Sequence, residues 1–142
     1  MTADYSIAIV IPTRDRPENV RESLQALADQ TSLPAEVIIV DDGTRSLNRA
    51  TVREILPESV AVQITESMGE PGTSTARNTG AKVASSPIVL FLDDDVRLSN
   101  SYAERLLEMY RKHDCPELAG IGGFDDELWV PSRMERLFNS IF

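Results

Sequence analysis

The sequence predicts an α/β protein with a mostly parallel, doubly wound sheet, and three observations lead there. Short runs rich in β-branched residues alternate with segments whose apolar residues recur at helical spacing, the pattern of strands joined by crossover helices. The runs are apolar almost throughout rather than alternating, as strands covered on both faces are. At 142 residues, the chain has the length of one domain with one core.

Residues 6–12, Ser6-Ile7-Ala8-Ile9-Val10-Ile11-Pro12, read as a buried first strand stopped by proline. Asp15 and Glu18 form a capping box for a first helix, with Pro17 in its opening turn and Val20, Leu24, Leu27 and Ala28 on its apolar face. Residues 36–40 repeat the strand signature and run into Asp41-Asp42-Gly43-Thr44. A short helix is expected over 47–56, a third strand over 60–64 and a loop with two glycines over 66–72. Small residues predict a helix over 74–84, and Gly80 within it implies close packing against a strand. Ile88-Val89-Leu90-Phe91-Leu92 then reads as a fully buried strand ending in Asp93-Asp94-Asp95. Ser101 and Glu104 make a second capping box, for a helix with Leu106, Met109 and Tyr110 on one face. Residues 118–121 are read as a fifth strand, followed by a turn at Gly122-Gly123.

Composition narrows the function. Lys plus Arg number 14 against 23 Asp plus Glu, a formal net charge of −9, which argues against nucleic acid as a partner. A lone Cys115 excludes an internal disulfide and a cysteine zinc site, and His113, the single histidine, reads as a solvated residue at a helix end. No run approaches the roughly 20 apolar residues that span a bilayer, and Met1-Thr2-Ala3-Asp4 lacks a signal pattern, so a cytoplasmic location is the expectation.

In a parallel sheet ligands lie beyond the carboxyl ends of the strands, and Pro12 to Asp15, Asp41-Asp42 and Asp93 to Asp95 would converge on that edge. A carboxylate cluster there suits a hard divalent cation that holds a phosphate-bearing ligand. A solvated acidic turn between strand and helix is the plainer reading of the triplet taken alone.

Four ordered motifs add a resemblance: Ile9-Val10-Ile11-Pro12-Thr13, Val40-Asp41-Asp42-Gly43-Thr44, Ala76-Arg77-Asn78-Thr79-Gly80 and Phe91-Leu92-Asp93-Asp94-Asp95. Each is weak by itself, but their order and spacing resemble the inverting family 2 glycosyltransferases of GT-A fold, a Rossmann-like architecture, from residue 6 to about 123. The resemblance implies metal-dependent sugar transfer from a nucleotide diphosphate sugar to an acceptor the sequence does not identify. Pro12, Thr13 and Arg14 would border the base, and Asp42, with Asp41 beside it, would accept a hydrogen bond from it; Arg77 would face the nucleotide. Asp93 would lie nearer the ribose and Asp95 would be the preferred ligand of Mg2+ or Mn2+, with Asp93 as a second metal ligand and Asp94 sharing either task. A uracil imide N–H is a donor that a carboxylate at Asp42 suits, so UDP is the favoured nucleotide.

Two departures from the family pattern stand out. An aromatic residue and Asn often follow the first strand in the family; Arg14-Asp15 stand here, leaving a guanidinium plane to stack on the base. The family's general base lies well downstream of the D-x-D element, so it is expected beyond Phe142, and this chain supplies the donor-binding half. Asp125, Asp126 and Glu127 read as a solvated loop and Trp129 as a packing residue. Ser132 and Glu135 make a third capping box, and residues 134–142 carry an apolar stripe, expected either to continue past a truncation or to dock on a partner, a second copy included. Family members of full length often work at a membrane, which would add a peripheral location.

Other classes fit less well. A Mg-binding receiver-like signalling domain needs a late strand ending in Lys, and neither Lys82 nor Lys112 stands at such a place. A haloacid-dehalogenase-type phosphatase wants Thr or Val where Arg97 stands, and a pyrophosphorylase wants a glycine-rich loop where Pro12-Thr13-Arg14-Asp15 stands. A nucleotide-sugar-binding module without activity of its own is the remaining alternative.

Overall fold

The computed structural model describes residues 5–45, 47–113 and 118–122. Four strands, β1 (Ile7–Thr13), β2 (Glu36–Asp41), β3 (Ala61–Thr65) and β4 (Ile88–Phe91), alternate with helices α1 (Pro17–Ala28), α2 (Arg49–Ile55), α3 (Thr73–Val83) and α4 (Tyr102–Lys112). The strands form one parallel sheet in the order β3-β2-β1-β4. The chain thus builds outward from β1 through β2 to β3, then returns to the other side of β1. The point of reversal lies between β1 and β4.

The two-residue period of β1 divides the core. Ile7, Ile9 and Ile11 pack with Val20, Leu24 and Leu27 of α1, Val52 of α2 and Ala103, Leu106 and Leu107 of α4. Ala8 and Val10, with Ile38 and Val40 of β2, pack on the other face against Ala76 of α3. Each large side chain so buried contributes roughly 1.5–3 kcal/mol. Helices therefore cover both faces, as the unbroken apolar strands required. A Cβ at Gly80 would run into the Val10 side chain, which is why α3 needs glycine there to lie close on the sheet.

Several expectations need correction. Residues 118–121 form no strand. Among the described residues β4 is an edge strand, and Phe91 is 45% exposed instead of buried. Met109 is 42% exposed, its place on the α4 apolar face taken by Ala103 and Leu107 beside Leu106.

Neither described capping box forms. At the start of α1 the backbone cap is Arg16, without a side-chain bond. Asp15 adopts a left-handed φ of 56° and turns its carboxylate to Thr44 and Arg45. At α4, Ser101 makes no side-chain cap, and Glu104 accepts from Thr31 instead. The free N–H of Ala103 is met by the buried Gln30 side chain at 3.0 Å, so a distant residue caps this helix. Asn48, which no box announced, caps the shortened α2 through Thr51 N–H. His113 is the exposed backbone cap of α4. Cys115, Gly123, Asp125, Asp126, Glu127, Trp129 and the segment 132–142, expected as a helix, lie outside the described residues.

Candidate functional site

The reversal of strand order leaves a crevice at the carboxyl ends of β1 and β4. A cavity of about 490 Å3 opens there, lined by Pro12 and Thr13 at the end of β1, Arg14 and Arg16 after it, Asp42 after β2, Gly72, Thr73 and Ala76 at the start of α3, and Asp93, Asp94 and Asp95 after β4. That size suits a small-molecule ligand.

The β1 and β4 ends are tied together. Thr13 Oγ1 donates to Asp94 Oδ2 at 2.7 Å, and Arg16 reaches Asp94 Oδ1 at 3.3 Å. Asp94 is 5% exposed, and these two donors satisfy it where water does not reach. Asp93 and Asp95 are exposed to either side of it. Asp93 pairs with Arg77 at 2.6 Å. Asp95 makes no hydrogen bond or ion pair with any described residue.

The turn after β2 is bound differently. Asp42 accepts from Ser67 N–H at 2.8 Å, Ser67 Oγ at 2.7 Å and Gly72 N–H at 3.3 Å, and so holds the 66–72 loop. Burial works against its charge, but these bonds and the Arg14 guanidinium outweigh it, and its pKa falls below the ordinary carboxylate value. A carboxylate offers about four acceptor positions, so Asp42 keeps about one for a ligand.

Asp41 lies beneath the cavity wall, 6% exposed, its Oδ1 accepting Gly43 N–H at 2.9 Å. Burial pushes its pKa up, with the charges of Asp15 and Asp42 adding to the effect. Asp15 Oδ1 accepts from Thr44 N–H, Thr44 Oγ1 and Arg45 N–H at 2.7, 3.1 and 2.9 Å. Its pKa is lowered, chiefly by the Arg45 and Thr44 amides. Gly43 fits between these groups because a Cβ would strike the Asp15 backbone and stand 2.8 Å from Asp15 Oδ1.

The structure thus brings Pro12, Thr13, Arg14, Asp42, Asp93, Asp94 and Asp95 onto one cavity, while Asp41 lies below its wall. Arg77 is also off the wall and touches it through Asp93; its buried Nε has no partner among the described residues. Arg16, Gly72, Thr73 and Ala76 escaped sequence reading. Arg16 carried a usable signal, since it lies in the loop that follows β1, where ligands of such sheets bind. Among the described residues no three His, Cys, Asp or Glu side chains are grouped to hold a metal ion by themselves. No helix among them is long and apolar enough to cross a membrane.

The sequence model of the family described as Glycosyl transferase family 2 matches residues 8–141. The chain belongs to that family. A validoxylamine A glucosyltransferase from Streptomyces hygroscopicus subsp. limoneus is 34% identical over 104 residues, 71% of this chain and 23% of the relative. The uncharacterized glycosyltransferase EpsJ of Bacillus subtilis is 26% identical over 91% of this chain and 38% of its own length. Among solved structures, S. aureus TarS 1-349 in complex with UDP superposes with a TM-score of 0.63 at 22% identity, covering 91% of this chain and 39% of TarS 1-349. At that identity the likeness is one of fold, and it is GT-A-like. The chain spans well under half the length of the curated relatives it matches.

Proposed function

We propose that the chain is the donor-binding part of an inverting glycosyltransferase that takes a sugar from UDP with the help of Mg2+ or Mn2+. The observation that carries this is the cavity at the strand-order reversal, with Arg14 and Asp42 on one flank and Asp93 and Asp95 on the other. Two solved structures of similar fold are in keeping with it, TarS 1-349 in complex with UDP and in complex with UDP-GlcNAc.

The guanidinium of Arg14, which makes no hydrogen bond with a described residue, would stack on the base. Asp42, held ionised by its three donors, would accept the uracil imide N–H with its remaining acceptor position. Pro12 and Thr13 would wall the base side, and Asp41 would hold the turn through Gly43 instead of touching the ligand. Asp93 would meet a ribose hydroxyl while Arg77 holds it from behind.

The donor set fits a divalent ion: Asp95 is exposed and has no partner among the described residues, Asp93 stands two residues away, and such ions complete their shell from phosphate oxygens. When bound, the ion supplies Lewis-acid stabilisation of the departing diphosphate. Asp94, buried and bonded to Thr13 and Arg16, would brace the turn in place of ligating. A general base acting on the acceptor would come from beyond Phe142, so this chain alone binds the donor and transfers little sugar. A cytoplasmic location at the membrane periphery goes with this reading, and cell fractionation checks it.

Calorimetry of UDP, GDP and dTDP with and without Mn2+ tests the proposal. UDP is expected to bind tightest and to gain affinity with metal. Equal binding of all three, or no metal effect, would overturn it; robust sugar transfer by the chain would overturn its assignment as a donor half.

A further inference from the structure

Asp95 has no side-chain partner among the described residues, so its place in the cavity is set by its backbone alone. The backbone on either side of it is held from α1. Ser23 Oγ, on a residue with no exposed surface, lies 2.8 Å from the carbonyl oxygen of Asp94 and 3.2 Å from that of Val96. Arg97 Nη1 reinforces the same place, reaching Ser23 Oγ at 2.8 Å and the two carbonyls at 3.1 and 3.2 Å. Glu22 orients Arg97 through its other nitrogen at 2.6 Å. Ser23 is a polar residue on the otherwise apolar face of Val20, Leu24 and Leu27, where helix packing alone would favour an aliphatic side chain.

Resting on the donor-binding reading above, we infer that Ser23 and Arg97 are positioning residues that clamp the carbonyls flanking Asp95 and so hold its carboxylate where metal and diphosphate meet. Three adjacent carboxylates repel one another, and the turn without this clamp would relax outward. Site groups need placing to within about 0.5 Å, and loss of such supporting contacts costs roughly 10–100-fold in metal affinity.

The test is UDP calorimetry with and without Mn2+ on the chain, its Ser23→Ala variant and its Arg97→Met variant, each with a thermal melt. The metal-dependent gain in UDP affinity is expected to fall about tenfold in both variants, with metal-free UDP binding unchanged. Equal losses with and without metal would mean a general structural defect and overturn the inference, as would full retention of the gain. Should Ser23→Ala fail to fold, Arg97→Met decides, because Arg97 is exposed. A parent chain with no metal-dependent gain would overturn the donor-binding reading itself, a result distinct from loss of the gain in the variants alone.

Discussion

Two acidic turns stand at the carboxyl ends of β2 and β4, alike in sequence and unlike in use. In the first, Asp41 is buried under the cavity and Asp42 spends three acceptor positions on the 66–72 loop. In the second, the middle carboxylate Asp94 takes the scaffold role, bonded to Thr13 and Arg16, while Asp93 and Asp95 stay at the cavity surface. The difference follows from the neighbours. The turn after β2 lies under a loop with free N–H groups to satisfy, whereas the turn after β4, an edge strand among the described residues, meets donors from the β1 end and its loop at Asp94 and from Arg77 of α3 at Asp93, and none at Asp95. A carboxylate at a strand end is therefore available to a ligand only to the extent that the fold leaves it acceptor positions, most of all at Asp95.

The comparison is broken most directly at Asp95. Asp95→Asn is expected to lower UDP affinity in Mn2+ on the order of 100-fold, the upper end for changes around a metal, while leaving stability within about 0.5 kcal/mol. Calorimetry and chemical denaturation of the same preparation check both halves. A variant that keeps the parent's full metal-dependent gain in UDP affinity would remove Asp95 as a ligand.

Asp42→Ala should do the reverse in its first effect, costing about 2 kcal/mol of unfolding free energy because Ser67 N–H and Gly72 N–H lose a charged acceptor. Denaturant titration would show this in the midpoint. A variant as stable as the parent would mean that the 66–72 loop does not depend on Asp42.

Acid titration sharpens the contrast with the smallest effects. Asp15 and Asp42 have lowered pKa values in the folded state, so the stability they contribute is present above the unfolded carboxylate value of about 4 and is lost as pH falls through their folded values. Asp41 has the opposite sign: its folded pKa is raised, so it detracts from stability as pH rises through that value. Asp42→Asn is expected to flatten the acid limb of Tm against pH. Asp41→Asn, which keeps an acceptor for Gly43 N–H, is expected to raise Tm slightly at pH 7 and not at pH 3.

Much of the scaffold was legible because the signals are local. The β1 residues Ile7 to Ile11 are apolar on both faces, which implies helices on both sides of the sheet, and Gly80 marks the helix that lies closest to it. The capping boxes failed for the opposite reason. Asp15 and Glu104 each found a partner far along the chain, Thr44 and Thr31 respectively, and a spacing rule sees only near neighbours. Ser23 and Arg16 were passed over in the same way, since their contacts are to a turn more than 70 residues away.

By itself the sequence determined the alternation of strand and helix and the placing of carboxylates at strand ends, because each depends on residues close together in the chain, and it determined the family through the order and spacing of four short motifs. Only the tertiary structure decided which carboxylates remain for a ligand. Burial and hydrogen-bond supply are set by what the fold packs against each turn, so Asp41 and Asp94 became framework, Asp42 kept part of its capacity and Asp95 was left open.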